Sequence, residues 1–184
     1  MSIAQRLLRL LWLLTALTWV GIAHAGTNEI SVQIKAAYLY KFAAYVEWPP
    51  SAFEHSDTPL VIGMIAADDI ADNLSQVKGN TSTTWRRIEV RLVKPGESLN
   101  GIHILFIGHT ELERVKRVLD QTQALPILTV TDSNGALAVG SAINFLNIDD
   151  HIRFEVSLTQ AERRHLKISA RLLAVAQKVE SVKP

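Results

Sequence analysis

Three short apolar runs, "LVIGMIA" (60–66), "GIHILFIG" (101–108) and "PILTVTD" (126–132), constrain this chain more than any other feature. Runs this uniform suit strands covered on both faces. Helix-like stretches separate them. Asp68 or Asp69 is placed to cap a helix running to about Lys78, with Gly79 as its stop. Thr110 precedes Glu113 by three residues, the spacing of a capping box, and predicts a helix to about Gln123. Between these, "RRIEVRLV" (86–93) alternates charged and apolar residues as a half-buried strand does. Strands alternating with helices imply a mainly parallel sheet with helices on its faces.

The flanks complete this pattern. From about Ile30 to Trp48, Ile34, Tyr38, Phe42 and Tyr45 recur at helical spacing, with Leu39 and Val46 beside them, and Pro49 and Pro50 stop the helix. These side chains are expected to cover the sheet. "AINFLNI" and "HIRFEVS", separated by Asp149 and Asp150, form a β-hairpin in which Ile152, Phe154 and Val156 face Phe145. The end is expected to be helical in two stretches, "TQAERRHL" (159–166) and then "SARLLAVAQKVE" (169–180), where Ile168, Leu172, Val175 and Val179 share a side. The expected fold is a single three-layer α/β domain, its mainly parallel sheet flanked by helices and extended by an antiparallel hairpin in the C-terminal half.

The amino terminus gives an address. Arg6 and Arg9 precede the uncharged run from Leu10 to Ile22, and Ala23 and Ala25 follow two apart, so residues 1–25 are expected to be a signal peptide cleaved after Ala25. The apolar run is shorter than the roughly 20 residues of a membrane span. The expected mature domain is 26–184, exported to the periplasm and not embedded in the membrane. Losing Arg6 and Arg9 takes the formal charge from +1 to −1. No basic tract suggests nucleic acid as a partner. The chain has no cysteine. Disulfides and thiol catalysis are therefore excluded, and stability has to come from packing.

Motifs for chemistry are scarce. "AVGSAIN" has only one of the glycines a nucleophile elbow needs, and no phosphate-binding glycine loop occurs. His55, His103, His109, His151 and His165 show no metal-ligand spacing. No catalytic residue, cofactor or metal is therefore assigned. His109 and Asp132 form the best pair, each at the carboxyl end of an expected parallel strand, where open α/β sheets collect ligands. The simpler reading is a solvated histidine near a turn aspartate. "DDH" (149–151) offers a weak cation site, but aspartates are common in hairpin turns for backbone reasons. Lys35 lies near the apolar stripe of its helix, placed either to meet an anion or buried acid or, more simply, to snorkel to solvent. Arg153 and Glu155 read as a solvated strand face. Tyr40, Glu47 and Trp48 lie off the main apolar stripe and have a composition suited to a protein contact, although Trp48 is equally suited to packing under the next loop.

Three segments occur in order after the leader: "IKAAYLYKFAAYVEWP", "ILTVTDSNGALAVGSAINFLNIDDHIRFEVSL" and "LKISARLLAVA". Together they resemble the YfiR-like family of exported bacterial proteins. The resemblance implies a periplasmic regulator that binds the periplasmic portion of an inner-membrane diguanylate cyclase and holds it inactive. The resemblance also implies an outer-membrane lipoprotein that can sequester the regulator and release that inhibition, so that cyclic di-GMP and biofilm growth are controlled. A homodimer is likewise implied by the resemblance. Some relatives carry disulfide-forming cysteine pairs; this chain has none, so redox control does not carry over. The alternatives are a periplasmic small-ligand sensor using His109 and Asp132 and acting on another membrane partner such as a histidine kinase, and a hydrolase resting on that same pair.

Overall fold

The computed structural model describes residues 22–77 and 86–181. Most of the leader, together with the expected helix end at Lys78 and stop at Gly79, lies outside the described residues. Helix α1 spans Ile22–Tyr45, and the α/β unit comprises Val32–Pro184, with the segment up to Ser31 a unit of its own.

Seven strands form the main sheet: β2 (Leu60–Ile65), β3 (Ile88–Leu92), β4 (Ile104–Ile107), β5 (Leu128–Thr131), β6 (Ile143–Ile148), β7 (His151–Ser157) and β9 (Lys178–Glu180). Their order across the sheet is β3-β2-β4-β5-β6-β7-β9. Pairing is parallel from β3 through β6, antiparallel in the β6–β7 hairpin and parallel again between β7 and β9. Helices α2 (Asp68–Val77) and α3 (Leu112–Asp120) connect strands. The mainly parallel α/β fold with flanking helices is the one expected.

The apolar runs explain why both faces are covered. Along β4, Ile104 and Phe106 enter one buried cluster, while Leu105 and Ile107 enter the other. The first cluster is aromatic. Phe42 from α1 lies 5.4 Å from Phe154 and 5.9 Å from Phe145, and Phe106 lies 6.0 Å from Phe145. Phe145 and Phe154 are paired across the hairpin. The second cluster is aliphatic and is covered by Val115 and Leu119 of α3. Each large side chain buried in this way contributes about 1.5–3 kcal/mol. Asp149 and Asp150, with φ of 49° and 60°, make the hairpin turn left-handed. Such a turn matches strand twist, and aspartate tolerates it.

Four local expectations fail for tertiary reasons. Helix α1 stops at Tyr45, not Trp48; Val46–Glu47 become β1, pairing antiparallel with β8 (Lys167–Ile168), while Ser169 N–H donates to Tyr45 O at 2.9 Å. Ile34, expected in the core, is 36% exposed. The capping box does not form. Instead, Thr110 N–H donates to Ser133 Oγ, which donates back to Thr110 O, and α3 starts after Glu111, which makes no side-chain cap. Of the two helical stretches expected at the end, the first forms as α4 (Leu158–Arg163), but the second keeps only α5 (Ala170–Leu173), with Ile168 in β8 and Lys178–Glu180 in β9. Leu172 is buried, but Val175 is 62% exposed. The outer edge of β7 would leave unpaired backbone groups; β9 takes it up, and Gln177 N–H donates to Phe154 O. The hairpin is therefore not the sheet edge.

Candidate functional site

Two polar clusters sit at opposite ends of β4. At the carboxyl end, His109 follows β4 and Asp132 follows β5, its parallel neighbour. The two meet, but through the backbone: His109 Nδ1 lies 3.0 Å from Asp132 O. A carbonyl only accepts, so Nδ1 carries the proton. The Asp132 carboxylate is taken by Lys35 of α1, whose Nζ is 2.6 Å from Oδ2. Their side chains are 14% and 23% exposed, so Lys35 meets a half-buried acid and does not simply snorkel.

Beneath them runs a buried polar ladder that the sequence reading missed. Thr131 Oγ1 donates to Asn144 Oδ1 at 2.8 Å, Ser141 Oγ lies 2.9 Å from Thr131 Oγ1, and Ser133 N–H donates to Asn144 Oδ1. Asn144 Nδ2 reaches Glu155 Oε1 at 3.1 Å. The signal available was Thr131 and Asn144 interrupting otherwise apolar strands; their pairing needed the β5–β6 register, Thr131 opposite Asn144.

At the amino end, His103 is 2% exposed. Val61 N–H donates to its Nδ1 at 3.0 Å, which makes Nδ1 an acceptor, so Nε2–H donates to Ala52 O at 2.9 Å. The ring is held neutral in one tautomer. It stacks on Phe53 at 4.3 Å, and the Arg86 guanidinium lies 3.9 Å from the centroid of the Phe53 ring. Burial first, and the Arg86 charge after it, hold the His103 pKa below the ordinary histidine value, against the raising effect of the Ala52 bond.

Trp48 belongs to this cluster. It is 8% exposed, lies edge-on to His103, and donates Nε1–H to His103 O at 3.2 Å. It packs under the chain and is not displayed to a partner. Tyr40 packs partly buried against the aromatic core, and Glu47 in β1 is exposed. The structure therefore does not bring Tyr40, Glu47 and Trp48 together as one exposed patch.

Among the described residues, neither end sets a histidine against a carboxylate. Asp132 offers His109 a backbone oxygen, and its carboxylate goes to Lys35. His103 has both ring nitrogens engaged by backbone. His151 Nδ1 donates to Asp149 O at 2.6 Å, so "DDH" shapes a turn. Among the described residues no group of three or more His, Asp or Glu is placed to hold a metal, and no helix is long and apolar enough to cross a membrane. Cavities of about 520, 490 and 340 Å³ are lined by residues other than His109 and Asp132.

Comparison with curated proteins finds no match to the chain. A family model described as YfiR/HmsC-like matches residues 32–177, from the first turns of the folded unit to the approach to β9. That match takes in both ends of β4, the hairpin and the short C-terminal elements, and the chain belongs to the YfiR/HmsC-like family.

Proposed function

We propose that this protein is an exported regulatory binding protein that represses an inner-membrane diguanylate cyclase by direct contact with its periplasmic portion. The family is known for periplasmic regulation of cyclic di-GMP signalling and is in general non-catalytic. The family match over residues 32–177 is the observation that carries the reading. Engagement of His103, His109 and Asp132 in structural bonds supports regulation over hydrolysis. On this reading residues 1–25 are a signal peptide removed after Ala25, the mature protein works in the periplasm as a homodimer, and an outer-membrane lipoprotein competes for it.

The contact surface we assign is the outer stripe of α1 continuing into β1. Ile34, Ala37, Lys41, Ala44 and Glu47 are exposed there, while Leu39, Phe42 and Val46 are buried on the other side. The test is cellular cyclic di-GMP in a strain lacking the gene, complemented with a periplasm-directed copy. A rise on deletion that wild type reverses and Ala44→Arg does not reverse is the expected result. No change on deletion would sink the cyclase reading. A second reading, a small-ligand sensor acting on another membrane partner such as a histidine kinase, draws support from the 520 Å³ cavity and not from His109 and Asp132.

A further inference from the structure

Arg164, just beyond α4, is 3% exposed and has no acidic partner among the described residues. Its side chain is held by neutral oxygens alone. Nη1 donates to Gln160 O at 2.8 Å and to Gln160 Oε1 at 3.2 Å; Nη2 donates to Thr122 Oγ1 at 3.1 Å and to Gly140 O at 3.2 Å. The fifth donor, Nε–H, is buried with no acceptor among the described residues. Arginine does not shed its proton to escape such a place. Burial, and then the neighbouring Arg163, push its pKa below the usual arginine range, the reverse of what an ion pair does. A buried cation without a counter-charge is costly unless something supplies one.

Arg164 also forms part of the wall of the 520 Å³ cavity, a volume within the range of small-molecule sites. Leu119 and Val139 give that cavity an apolar side, and Arg163 and Lys116 stand exposed at its rim. Among the described residues no acidic side chain lines it. Lys116 is engaged by Asp120 at 2.9 Å, which leaves Arg163 and Arg164 as the lining cations without an acid among the described residues.

We propose that this cavity binds a small organic oxyanion, one of whose oxygens replaces Gln160 Oε1 on Arg164 Nη1 while the body of the ligand lies against Leu119 and Val139. Of the four acceptors on the guanidinium, two are backbone carbonyls and one is the fully buried Thr122. Gln160 Oε1 is the one on a half-exposed side chain, free to swing aside. A charged acceptor in its place makes a bond roughly twice as strong as a neutral one. The site stands independently of which membrane protein the regulator contacts.

The test is thermal unfolding of the mature chain in rising inorganic phosphate, and separately citrate, at fixed ionic strength. The wild type is expected to show a saturable rise in Tm with at least one probe. The rim variant Arg163→Gln with Lys116→Gln keeps its anion-free Tm and binds about tenfold more weakly, the loss of one charge-assisted contact. Gln160→Glu places a carboxylate on Nη1 from within; it should melt higher without anion and no longer respond to it. No saturable rise in the wild type with either probe overturns the proposal, as does an undiminished response in Gln160→Glu. Neither outcome touches the cyclic di-GMP experiment, so the two readings fail separately.

Discussion

His103 enters β4 and His109 leaves it, and the fold uses the two in opposite ways. His103 is sealed between Phe53 and Trp48 with both nitrogens bonded to backbone. His109 stays at the surface with one bond to a carbonyl. Strand-end logic for open α/β sheets favours the carboxyl end, where ligands usually gather. Here that end is held by backbone. A Cβ on Gly108 would lie 2.0 Å from Ala66 O, so the segments after β2 and β4 touch main chain to main chain. Position at the end of a strand says where a ligand fits in general; burial and partners decide which residue the structure depends on.

The sharpest way to break this contrast is at Gly108. Gly108→Ala has to displace the Ala66 carbonyl, and about 3–4 kcal/mol of stability should be lost in urea unfolding. If it is neutral, the carboxyl end is not held by that contact. Next comes His103→Ala, which removes the stack on Phe53 and leaves Val61 N–H and Ala52 O without partners; about 2–4 kcal/mol is expected. Asp132→Asn strands the half-buried Lys35 charge and should cost about 1–2 kcal/mol, less than a fully buried pair. His109→Ala is expected to fall within about 0.5 kcal/mol of wild type. A large loss at His109 with little at His103 would reverse the comparison altogether.

The pH dependence sharpens the same contrast. Because the folded pKa of His103 lies below its unfolded value, the unfolded chain binds the proton more readily. The stability it contributes is present above about pH 6.5 and is lost as pH falls from there through the folded pKa. Protonation also destroys the acceptor that Val61 N–H uses. Urea midpoints at pH 7.5 and pH 5 should separate more in wild type than in His103→Gln. Equal separation would assign the acid sensitivity elsewhere.

The chain's own pattern was enough for the parallel core. Runs such as Ile104–Ile107 are apolar at every position, and only a strand covered on both faces buries them all. The hairpin was legible for a related reason: alternation puts Phe154 opposite Phe145, and two aspartates between the strands supply a left-handed turn. Local periodicity failed where backbone groups found distant partners. Val179 fits a helical stripe with Leu172, yet the free edge of β7 draws Lys178–Glu180 into the sheet. Lys35 and Asp132 lie 97 residues apart, and nothing local to either shows that they meet. The same is true of Arg164, which reads as one more charge in "ERRH". Periodicity encodes which face of an element is apolar; which polar groups are shut in together, and whether their charges balance, depends on chain segments that become neighbours only when the sheet closes.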